Sequence, residues 1–419
     1  MNPRLKSLHP YPFQKLAGLK AGLDAPSSLS SISLAVGEPK HPPPENALKA
    51  LRENLDAVSR YPSTRGSNQI RRAMSAWLIE RFKLEPGSID PDHHVLPVNG
   101  TREALFAIAQ AVVDPSEKNS LIICPNPFYQ IYEGAAVLSG ASVKMLNCLA
   151  DNDFLPCFDE LSCEELERCE LMYLCTPGNP TGAVMSVNYL QKAIKLARQY
   201  NFVLVSDECY SELYYDSPPP GLLQAAHELE RNNFTNCLVF HSLSKRSNLP
   251  GLRSGLVAGD KAIIEQFFQY RTYHGSAMSE LVQSASIEAW SDELHVEENR
   301  KLYDEKFDDV IEALSSVCSL EKPSAGFYLW LNVKPYQAFL DTMRSGENKT
   351  SYSLDELFAR GLYHQYNVTV LPGSYLSRDI AGHNPGQGFV RLALVAQKPD
   401  CIEAARRIAE FIEKGMRSA

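Results

Sequence analysis

From residue 93 onward, short apolar runs alternate with stretches that repeat apolar residues at helical spacing. The apolar runs predict strands, because each is short and is bounded by polar or turn-forming residues. In chain order they are HHVLPV, SLIICP, SVKML, LMYLC, FVLVS and CLVF. Strands that alternate with helices in this way predict a mostly parallel sheet covered on both faces. Ligands of such a sheet gather at the carboxyl ends of its strands.

The pattern also predicts helices, over 68–82 and 187–200, and a long charged amphipathic helix over 292–317. Beyond that helix the composition changes. Three strands (AGFYLWLNV, NVTVLP and GFVRLALV) accompany a helix over 354–365 and an amphipathic C-terminal helix, which together indicate a small α+β unit. We therefore expect an N-terminal arm at 1–40, a large domain at 41–295 and a small domain at 296–419.

Length and charge narrow the class of partner. A chain of 419 residues with 44% hydrophobic residues is long enough to bury a cofactor within two domains. Its formal net charge of -9 argues against nucleic acid or an anionic membrane as partner, which leaves small molecules. The first 13 residues carry three prolines and no apolar core, and no apolar run is long enough to span a bilayer. We expect a cytoplasmic protein.

The cysteines and histidines do not indicate a metal site. The ten cysteines are dispersed, without a CxxC pair, and the ten histidines include no HExxH motif. Free, mostly buried thiols are the simplest interpretation, and we expect no bound metal.

The stretch HSLSKRSNLPGLRSG places Lys245 just after the apolar run CLVF, with Ser242, Ser244 and Arg253 close by in sequence. A partly buried lysine beside a cation loses its proton more easily, and the neutral amine can attack a carbonyl to form an imine. Hydroxyls and an arginine suit a phosphate. An imine-forming lysine beside phosphate ligands indicates pyridoxal 5′-phosphate (PLP). The alternative is a solvated lysine in a serine-rich loop.

Two other predicted strands end in polar side chains. Asp207 ends FVLVS, and Tyr210 follows three residues later; Asn179 lies in the turn after LMYLC. A carboxylate that ends a buried strand needs a cationic partner, for which a pyridinium nitrogen is suitable. Tyr210 and Asn179 would donate hydrogen bonds to a phenolate oxygen. The alternative role for Asp207 is a helix cap.

Anion-binding features complete the candidate set. The turn NGTR opens a predicted helix, so the backbone N–H groups of Gly100, Thr101 and Arg102 suit a phosphate. Arg391 lies within the apolar strand FVRLAL, where its guanidinium needs an acid. A substrate carboxylate bound in bidentate fashion and a structural salt bridge are both possible. Gly37, in the turn VGEP, either lets a ligand approach bare backbone or only forms the turn.

These motifs together resemble the fold-type I PLP enzymes, and specifically the class I and II aminotransferases, over nearly the whole chain. The order is VGEP, Tyr61, NGT, Pro-Phe-Tyr at 127–129, NPTG at 179–182, DECY at 207–210, SLSK at 242–245, Arg253 and Arg391. The resemblance implies an α/β fold of PLP-dependent transferase type I. Its large domain has a mostly parallel seven-stranded sheet, and its small domain is α+β.

The resemblance also implies roles for individual residues. Lys245 would bind the cofactor aldehyde, Asp207 would keep the pyridine nitrogen protonated, and Tyr129 would stack on the ring. Tyr210 and Asn179 would contact the ring oxygen. The residues implied at the phosphate are Gly100, Thr101, Arg102, Ser242, Ser244 and Arg253. Those implied at the substrate α-carboxylate are Gly37, Asn179 and Arg391. Tyr61 would reach the phosphate of a partner subunit, which implies a homodimer with shared sites.

Three segments refine the resemblance: LHPYPFQKL, LAVGEPKHPPP and CPNPFYQIYEGAA are most similar to succinyldiaminopimelate aminotransferases of bacterial lysine biosynthesis, which use glutamate as amino donor. Dicarboxylate-specific relatives have an arginine shortly before a turn in this region. This chain instead has Tyr270 followed by Arg271, and so differs from that pattern. A long acidic substrate needs further cations, and the candidates are Lys15, Arg271 and Arg378. The alternatives are an aminotransferase of other specificity (aspartate, alanine or aromatic) and a PLP-dependent carbon–sulfur β-lyase.

Overall fold

A seven-stranded sheet forms the centre of the protein, in a computed structural model that describes residues 1–117, 119–344 and 352–418. Its strands are β2 (Val95–Val98), β3 (Leu121–Asn126), β4 (Ser142–Asn147), β5 (Cys169–Cys175), β6 (Val203–Asp207), β7 (Cys237–Ser242) and β8 (Gly255–Gly259). Their order across the sheet is β2-β8-β7-β6-β5-β3-β4. Only β8 runs antiparallel to its neighbours β2 and β7. The predicted fold class, a mostly parallel sheet within an α/β protein, is confirmed.

The strands form where the sequence is most apolar. β2, β3, β7 and β8 are buried along their whole length, as expected for strands covered on both faces. Six of the seven strands coincide with the apolar runs of the sequence. The seventh, β8, was missed because it is short and has a glycine at each end, which weakens the strand pattern.

Helices pack on both faces of this sheet. They are α2 (Glu45–Glu53), α3 (Asn68–Arg81), α4 (Thr101–Val112), α5 (Ile131–Ser139), α6 (Cys163–Glu167), α7 (Val187–Tyr200), α8 (Leu222–Leu229), α9 (Leu243–Arg246), α10 (Lys261–His274) and α11 (Glu280–Trp290). Ser67 caps α3 and Ser186 caps α7, each accepting a hydrogen bond from a backbone N–H of the first turn. Both helices therefore begin where the sequence predicts.

The C-terminal part contains a three-stranded antiparallel sheet of β11 (Leu371–Pro372), β12 (Phe389–Ala393) and β9 (Tyr328–Asn332). Its helices are α12 (Leu294–Leu314), α13 (Gln337–Thr342), α14 (Leu354–Tyr366) and α15 (Lys398–Ser418). The N-terminal arm joins this part: α1 (Pro12–Lys20) contributes to its core, and β1 (Ile32–Ser33) pairs in parallel with β10 (Val368–Thr369).

Separate hydrophobic clusters support the two parts. One cluster, on one face of the seven-stranded sheet, runs in sequence from Ala47 to Trp290, and a second covers the other face. A third joins residues of α1 and β1 to α12 and the C-terminal elements. The domain limits proposed from the sequence remain proposals. In the part of the chain that the structure describes, no helix is both long enough and apolar enough to cross a lipid bilayer.

Candidate active site

A cavity of about 600 Å³ opens at the carboxyl ends of β5, β6 and β7, between the central sheet and the C-terminal part. All of the residues predicted to bind the cofactor or the substrate α-carboxylate line it except Gly100 and Tyr61. The lining residues of that set are Gly37, Thr101, Arg102, Tyr129, Asn179, Asp207, Tyr210, Ser242, Ser244, Lys245, Arg253 and Arg391. The sheet topology explains this, because parallel strands bring the residues after each strand to one edge.

Gly100 lies directly beside the cavity, whereas Tyr61 lies away from it. Gly100 caps the N-terminus of α4 with φ of 89°. A Cβ at this position would lie 2.1 Å from Nη2 of Arg253, so only glycine lets the guanidinium approach the helix N-terminus. Tyr61 has a relative exposure of 102% and does not line the cavity of its own chain.

Lys245 extends into the cavity from α9, the short helix that begins directly after β7. Ser242 caps this helix by accepting a hydrogen bond from the N–H of Ser244 at 3.1 Å. The Lys245 ammonium donates to the carbonyl oxygen of Gly37, its one hydrogen-bond partner among the described residues. Burial lowers the pKa of Lys245 to about 8. A substantial fraction of the amine is therefore neutral just above neutral pH, as a nucleophile requires.

Asp207 ends β6 and is held in register between Cys175 of β5 and Phe240 of β7. It is 5% exposed, and burial raises the pKa of its carboxyl. The hydroxyl of Tyr132 donates to Oδ2 at 2.7 Å, but no ion pair to Asp207 is present in the described ranges. The helix-cap alternative is not supported, because a turn at 209–212 follows instead of a helix. The carboxyl is arranged to receive a cation from the cavity.

Tyr210 and Asn179 line the same cavity as Asp207 and Arg391. The hydroxyl of Tyr210 lies 2.9 Å from that of Tyr328. Burial raises the pKa of Tyr210 well above its ordinary value, so the phenol stays protonated and can donate. Asn179 accepts a hydrogen bond from Nη1 of Arg391 at 2.9 Å. Arg391 is therefore hydrogen-bonded to one of the two ring-contact candidates, Asn179.

Residues 34–41, which we name the strap, cross the cavity opposite the sheet. Nη2 of Arg391 donates to the carbonyl oxygen of Ala35 at 2.7 Å, and Nε of Arg391 is buried without a partner. Arg391 is 4% exposed, and no acidic side chain of the described ranges pairs with it. The salt-bridge alternative is thus not supported. A buried guanidinium with an unsatisfied N–H is suited to bind a carboxylate.

Gly37 has to be glycine, because of its neighbour across the cavity. A Cβ at this position would lie 2.1 Å from the hydroxyl of Tyr328, a distance that real Cβ atoms do not reach. The backbone of the strap therefore approaches Tyr328 more closely than a residue with a side chain would permit.

The three cations proposed for a distal acidic group do not line the cavity. Arg271 is buried and pairs with Glu103 at 3.3 Å, and Arg378 pairs with Glu133 at 2.6 Å. Lys15 is also absent from the lining. Arg102, which the sequence assigned to the phosphate, lines the cavity with an exposed side chain that donates to the hydroxyl of Tyr129 at 2.7 Å.

Sequence reasoning missed four side chains that hydrogen-bond to the side chains of predicted site residues. Tyr132 contacts Asp207, Tyr328 contacts Tyr210, the hydroxyl of Tyr11 accepts a hydrogen bond from Arg102 at 3.4 Å, and Cys209 lies 3.1 Å from the hydroxyl of Thr101. Tyr132 could have been found, because it follows Tyr129 by three residues at the start of a helix. Tyr11 and Tyr328 come from distant segments, and no local pattern points to them.

The cavity thus has two walls. The sheet wall consists of Asp207, Tyr210, Ser242, Ser244 and Lys245, which end β6 and β7 or come within three residues after them. The strap wall consists of Tyr11, Gly37, Glu38, Tyr328 and Arg391, which come from the N-terminal arm, the strap, β9 and β12.

Comparison with known proteins gives a consistent assignment. Residues 30–408 match the family model described as aminotransferase class I and II. The chain is 29% identical over 411 residues to the LL-diaminopimelate aminotransferase of Desulforudis audaxviator, covering 97% of this chain and 96% of that protein. A crystal structure of an aminotransferase from Neisseria meningitidis is 44% identical, with a TM-score of 0.90 and coverage of 98% and 99%. A probable N-succinyldiaminopimelate aminotransferase from Thermus thermophilus is 26% identical, with a TM-score of 0.78 and coverage of 96% and 100%.

Proposed function

The chain belongs to the class I and II aminotransferases, and on that premise we propose that it moves an amino group between glutamate and a long acidic 2-oxo acid. N-succinyl-2-amino-6-oxopimelate is the substrate that we put first. Enzymes of this family depend on PLP and act on small molecules. The cavity has the position and the lining residues that such a reaction needs.

The residues present fit PLP on three separate observations. The buried Asp207 carboxyl has no ion-pair partner in the described ranges, which suits a protonated pyridine nitrogen. Lys245 presents a weakly basic amine to the cavity. At the N-terminus of α4, Gly100 leaves room for Arg253, and with Ser242 and Ser244 this end of the cavity suits a phosphate. When bound, PLP supplies an aldehyde and a cationic ring that stabilises negative charge at the Cα of an amino acid.

On the sheet wall, the side chains would control protons. Asp207 would hold a proton on the pyridine nitrogen, with Tyr132 fixing the orientation of its carboxylate through a 2.7 Å hydrogen bond. Tyr210 and Asn179 would donate hydrogen bonds to the ring oxygen. Lys245 would then take the proton from Cα of the bound amino acid and return it to the cofactor carbon, as a general acid and base.

On the strap wall, the side chains would bind and orient the substrate. The unsatisfied Nε of Arg391 and its neighbouring N–H groups would hold the α-carboxylate, together with Asn179 and the backbone near Gly37. Arg102, which comes from the first turn of α4 and bonds to Tyr11 of the strap wall, would receive the distal carboxylate of a long substrate. Its guanidinium has donors left after its bonds to Tyr129 and Tyr11, and it makes no ion pair with an acid in the described ranges.

A homodimer with shared sites completes the proposal. The fully exposed Tyr61 lies outside its own cavity, which suits a residue that would contact the cofactor phosphate of a partner subunit. Sedimentation would measure the dimer. Mixing a Tyr61→Phe variant with a Lys245→Ala variant would then test the sharing, because only mixed dimers can restore one complete site.

One observation carries the proposed function: Lys245, Asp207 and Arg391 line a single cavity, and none of these three charged side chains forms an ion pair with another side chain of the described residues. The direct test is to supply 2-oxoglutarate with either N-succinyl-LL-2,6-diaminopimelate or free LL-2,6-diaminopimelate, and to measure glutamate. We expect a higher kcat/KM for the succinylated donor. Preference for the free form would make LL-2,6-diaminopimelate the proposed substrate. Inactivity with both donors would mean that the substrate is another amino acid.

A single-substrate incubation separates the transaminase from the β-lyase alternative. Without a 2-oxo acid acceptor, a transaminase releases at most about one equivalent of oxo acid per site and then stops, since its kinetics are ping-pong. A lyase continues to release pyruvate and ammonia from a suitable amino acid. Continued release would refute the proposed function.

A further inference from the structure

A second buried lysine lies behind the cavity, on α12. Lys306 is 1% exposed, and its ammonium donates to Nε2 of His41 at 2.9 Å and to the carbonyl oxygens of Leu394 at 2.9 Å and Ala396 at 2.7 Å. A lysine ammonium has three N–H donors, so each one has an acceptor. Lys306 is therefore fixed in position.

The hydrogen bonds continue from His41 to the backbone of Lys245. Nδ1 of His41 lies 2.8 Å from Oδ1 of Asn299, and Nδ2 of Asn299 donates to the carbonyl oxygens of Lys245 at 3.3 Å and Arg246 at 3.4 Å. Because the Asn299 amide nitrogen faces these carbonyls, its oxygen must accept from His41. Nδ1 of His41 then carries the proton, which leaves Nε2 free to accept from Lys306. The direction of every bond is determined.

This network joins the two walls of the cavity. One end is the backbone of Lys245, and the other is the chain that leaves β12, three and five residues after Arg391. Its middle residue, His41, ends the strap, four residues after Gly37. The strap is also bonded to β12, because the N–H of Ala393 donates to the carbonyl of Leu34 at 2.7 Å.

Packing alone does not explain a lysine at position 306. Burial lowers its pKa to about 8, and the salt bridges of the described ranges include no acid that compensates its charge. The groups that face it are His41, Tyr303 on the same helix and Cys401 of α15. A methionine would fill a similar volume without burying a charge, which is often neutral or stabilising. What the ammonium adds is three directed hydrogen bonds.

We propose that Lys306, His41 and Asn299 form a positioning network that fixes the Lys245 backbone relative to Arg391. The three residues do not touch the substrate; they act through the backbone of Lys245 and of the chain after β12. The inference rests on the roles proposed for Lys245 and Arg391. Displacement of a reacting group by about 1 Å can cost about 100-fold in rate, so a modest loosening of this network is measurable.

The first test compares Lys306→Met with the matched control Lys322→Met. Lys322 also contacts α12, through ion pairs with Asp304 and Asp308, but it lies outside the network. We expect Lys306→Met to lower kcat and raise KM for the amino donor, with kcat/KM falling about 10- to 100-fold. The control should stay within about twofold of the parent, since partly exposed ion pairs contribute little. Equal values for the two variants would overturn the proposal.

A second pair of variants asks whether the hydrogen bonds or only the shape of His41 matters. His41→Phe keeps the ring next to Tyr303 but removes both polar atoms. His41→Gln keeps a donor and an acceptor. We expect His41→Gln to retain several-fold more kcat/KM than His41→Phe at the same melting temperature. Equal losses would contradict a positioning role. This pair also decides the question if Lys306→Met does not fold.

A third readout needs no catalysis. In the cofactor-free protein, acetic anhydride labels neutral amines, and peptide mass spectrometry gives the labelled fraction of Lys245 against pH. The midpoint for the parent should lie near pH 8, because burial, and to a smaller extent the charge of Arg391, lowers the pKa of Lys245 to about 8. We expect the midpoint to rise toward the ordinary lysine value in Lys306→Met and His41→Phe but not in Lys322→Met.

If the labelling midpoint of Lys245 and kcat/KM were both unchanged in Lys306→Met and His41→Phe, the network would have only a structural role. The labelling result also separates the two proposals. If the parent protein lacks transaminase activity, the proposed function fails, while the labelling midpoints still report whether the network positions Lys245.

Discussion

The two walls of the cavity are built in different ways. The sheet wall comes from two neighbouring strands. Asp207 and Ser242 are the last residues of β6 and β7, and Tyr210, Ser244 and Lys245 follow within three residues of those ends. Asp207 pairs in register on both sides. The strap wall combines segments that are far apart in sequence, and parts of it are exposed, such as Val36 at 45%. One wall is thus set by the sheet, and the other depends on how remote segments meet.

This difference indicates how the two walls divide the work. A catalytic group has to be held within a fraction of an ångström, which favours residues that lie at or directly after a strand end over residues contributed by segments remote in sequence. Groups that select a substrate tolerate more variation, and they can change without disturbing the sheet. We therefore expect substitutions on the sheet wall to act mainly on kcat, and substitutions on the strap wall to act mainly on KM.

The largest effect is expected at Lys245. Lys245→Ala removes the general acid and base of the sheet wall, so turnover should fall by about 10³-fold or more while the cofactor still binds without a covalent link. Single-turnover kinetics would measure the loss. Borohydride reduction followed by peptide mapping should find a pyridoxyl group at position 245 in the parent and none in the variant. Near-normal turnover would remove Lys245 from the mechanism.

The next effect concerns Asp207. Asp207→Asn keeps the shape but cannot hold a proton on the pyridine nitrogen, and loss of a buried charge partner costs about 3 kcal/mol or more, which corresponds to about 10²-fold or more in kcat. Tyr132→Phe is the matched control, because it removes the 2.7 Å hydrogen bond but keeps the carboxylate. It should lose only about 10-fold, as expected for one hydrogen bond to a charged group. Similar losses in both variants would contradict the proposal that the reaction depends on the negative charge of Asp207.

The sheet wall could be predicted from the sequence, because its signals are local. FVLVS followed by Asp207, and CLVF followed by SLSK, each combine a strand pattern with a polar exit, and the parallel topology brings the exits together. Neither signal needs knowledge of a distant contact. The register of each strand then fixes which side chain points into the cavity.

The strap wall could be predicted only in part. Arg391 stands out as a charge within an apolar strand, but Tyr328 lies in an ordinary strand pattern and Tyr11 in a proline-rich arm. The proposed distal cations show the same limit. Arg271 and Arg378 find acids on α4 and α5, and the sequence alone does not reveal these partners because the contacts are long-range.

On the strap wall, the larger effect is expected at Arg391. Arg391→Ala removes charge-assisted hydrogen bonds to the α-carboxylate, each worth about 1.5–3 kcal/mol, so kcat/KM should fall about 10- to 100-fold with most of the change in KM. Arg391→Lys keeps the charge but not the planar pair of donors, and it should recover only part of the loss. Steady-state kinetics with glutamate would measure both. An unchanged KM would place the carboxylate site elsewhere.

The smallest effect is expected at Arg102 and depends on the substrate. Arg102→Met should lower kcat/KM about 10-fold for a donor with a distal carboxylate, since an exposed charge-assisted contact is worth about 1–2 kcal/mol. For a short donor without that group, such as alanine, kcat/KM should be nearly the same in the variant and in the parent. The measurement is the ratio of kcat/KM for the donor with a distal carboxylate to kcat/KM for alanine, so the alanine reaction is the internal control. A loss that is equal for both donors would instead remove Arg102 from the proposed site of the distal carboxylate, and it would leave that carboxylate without a proposed partner.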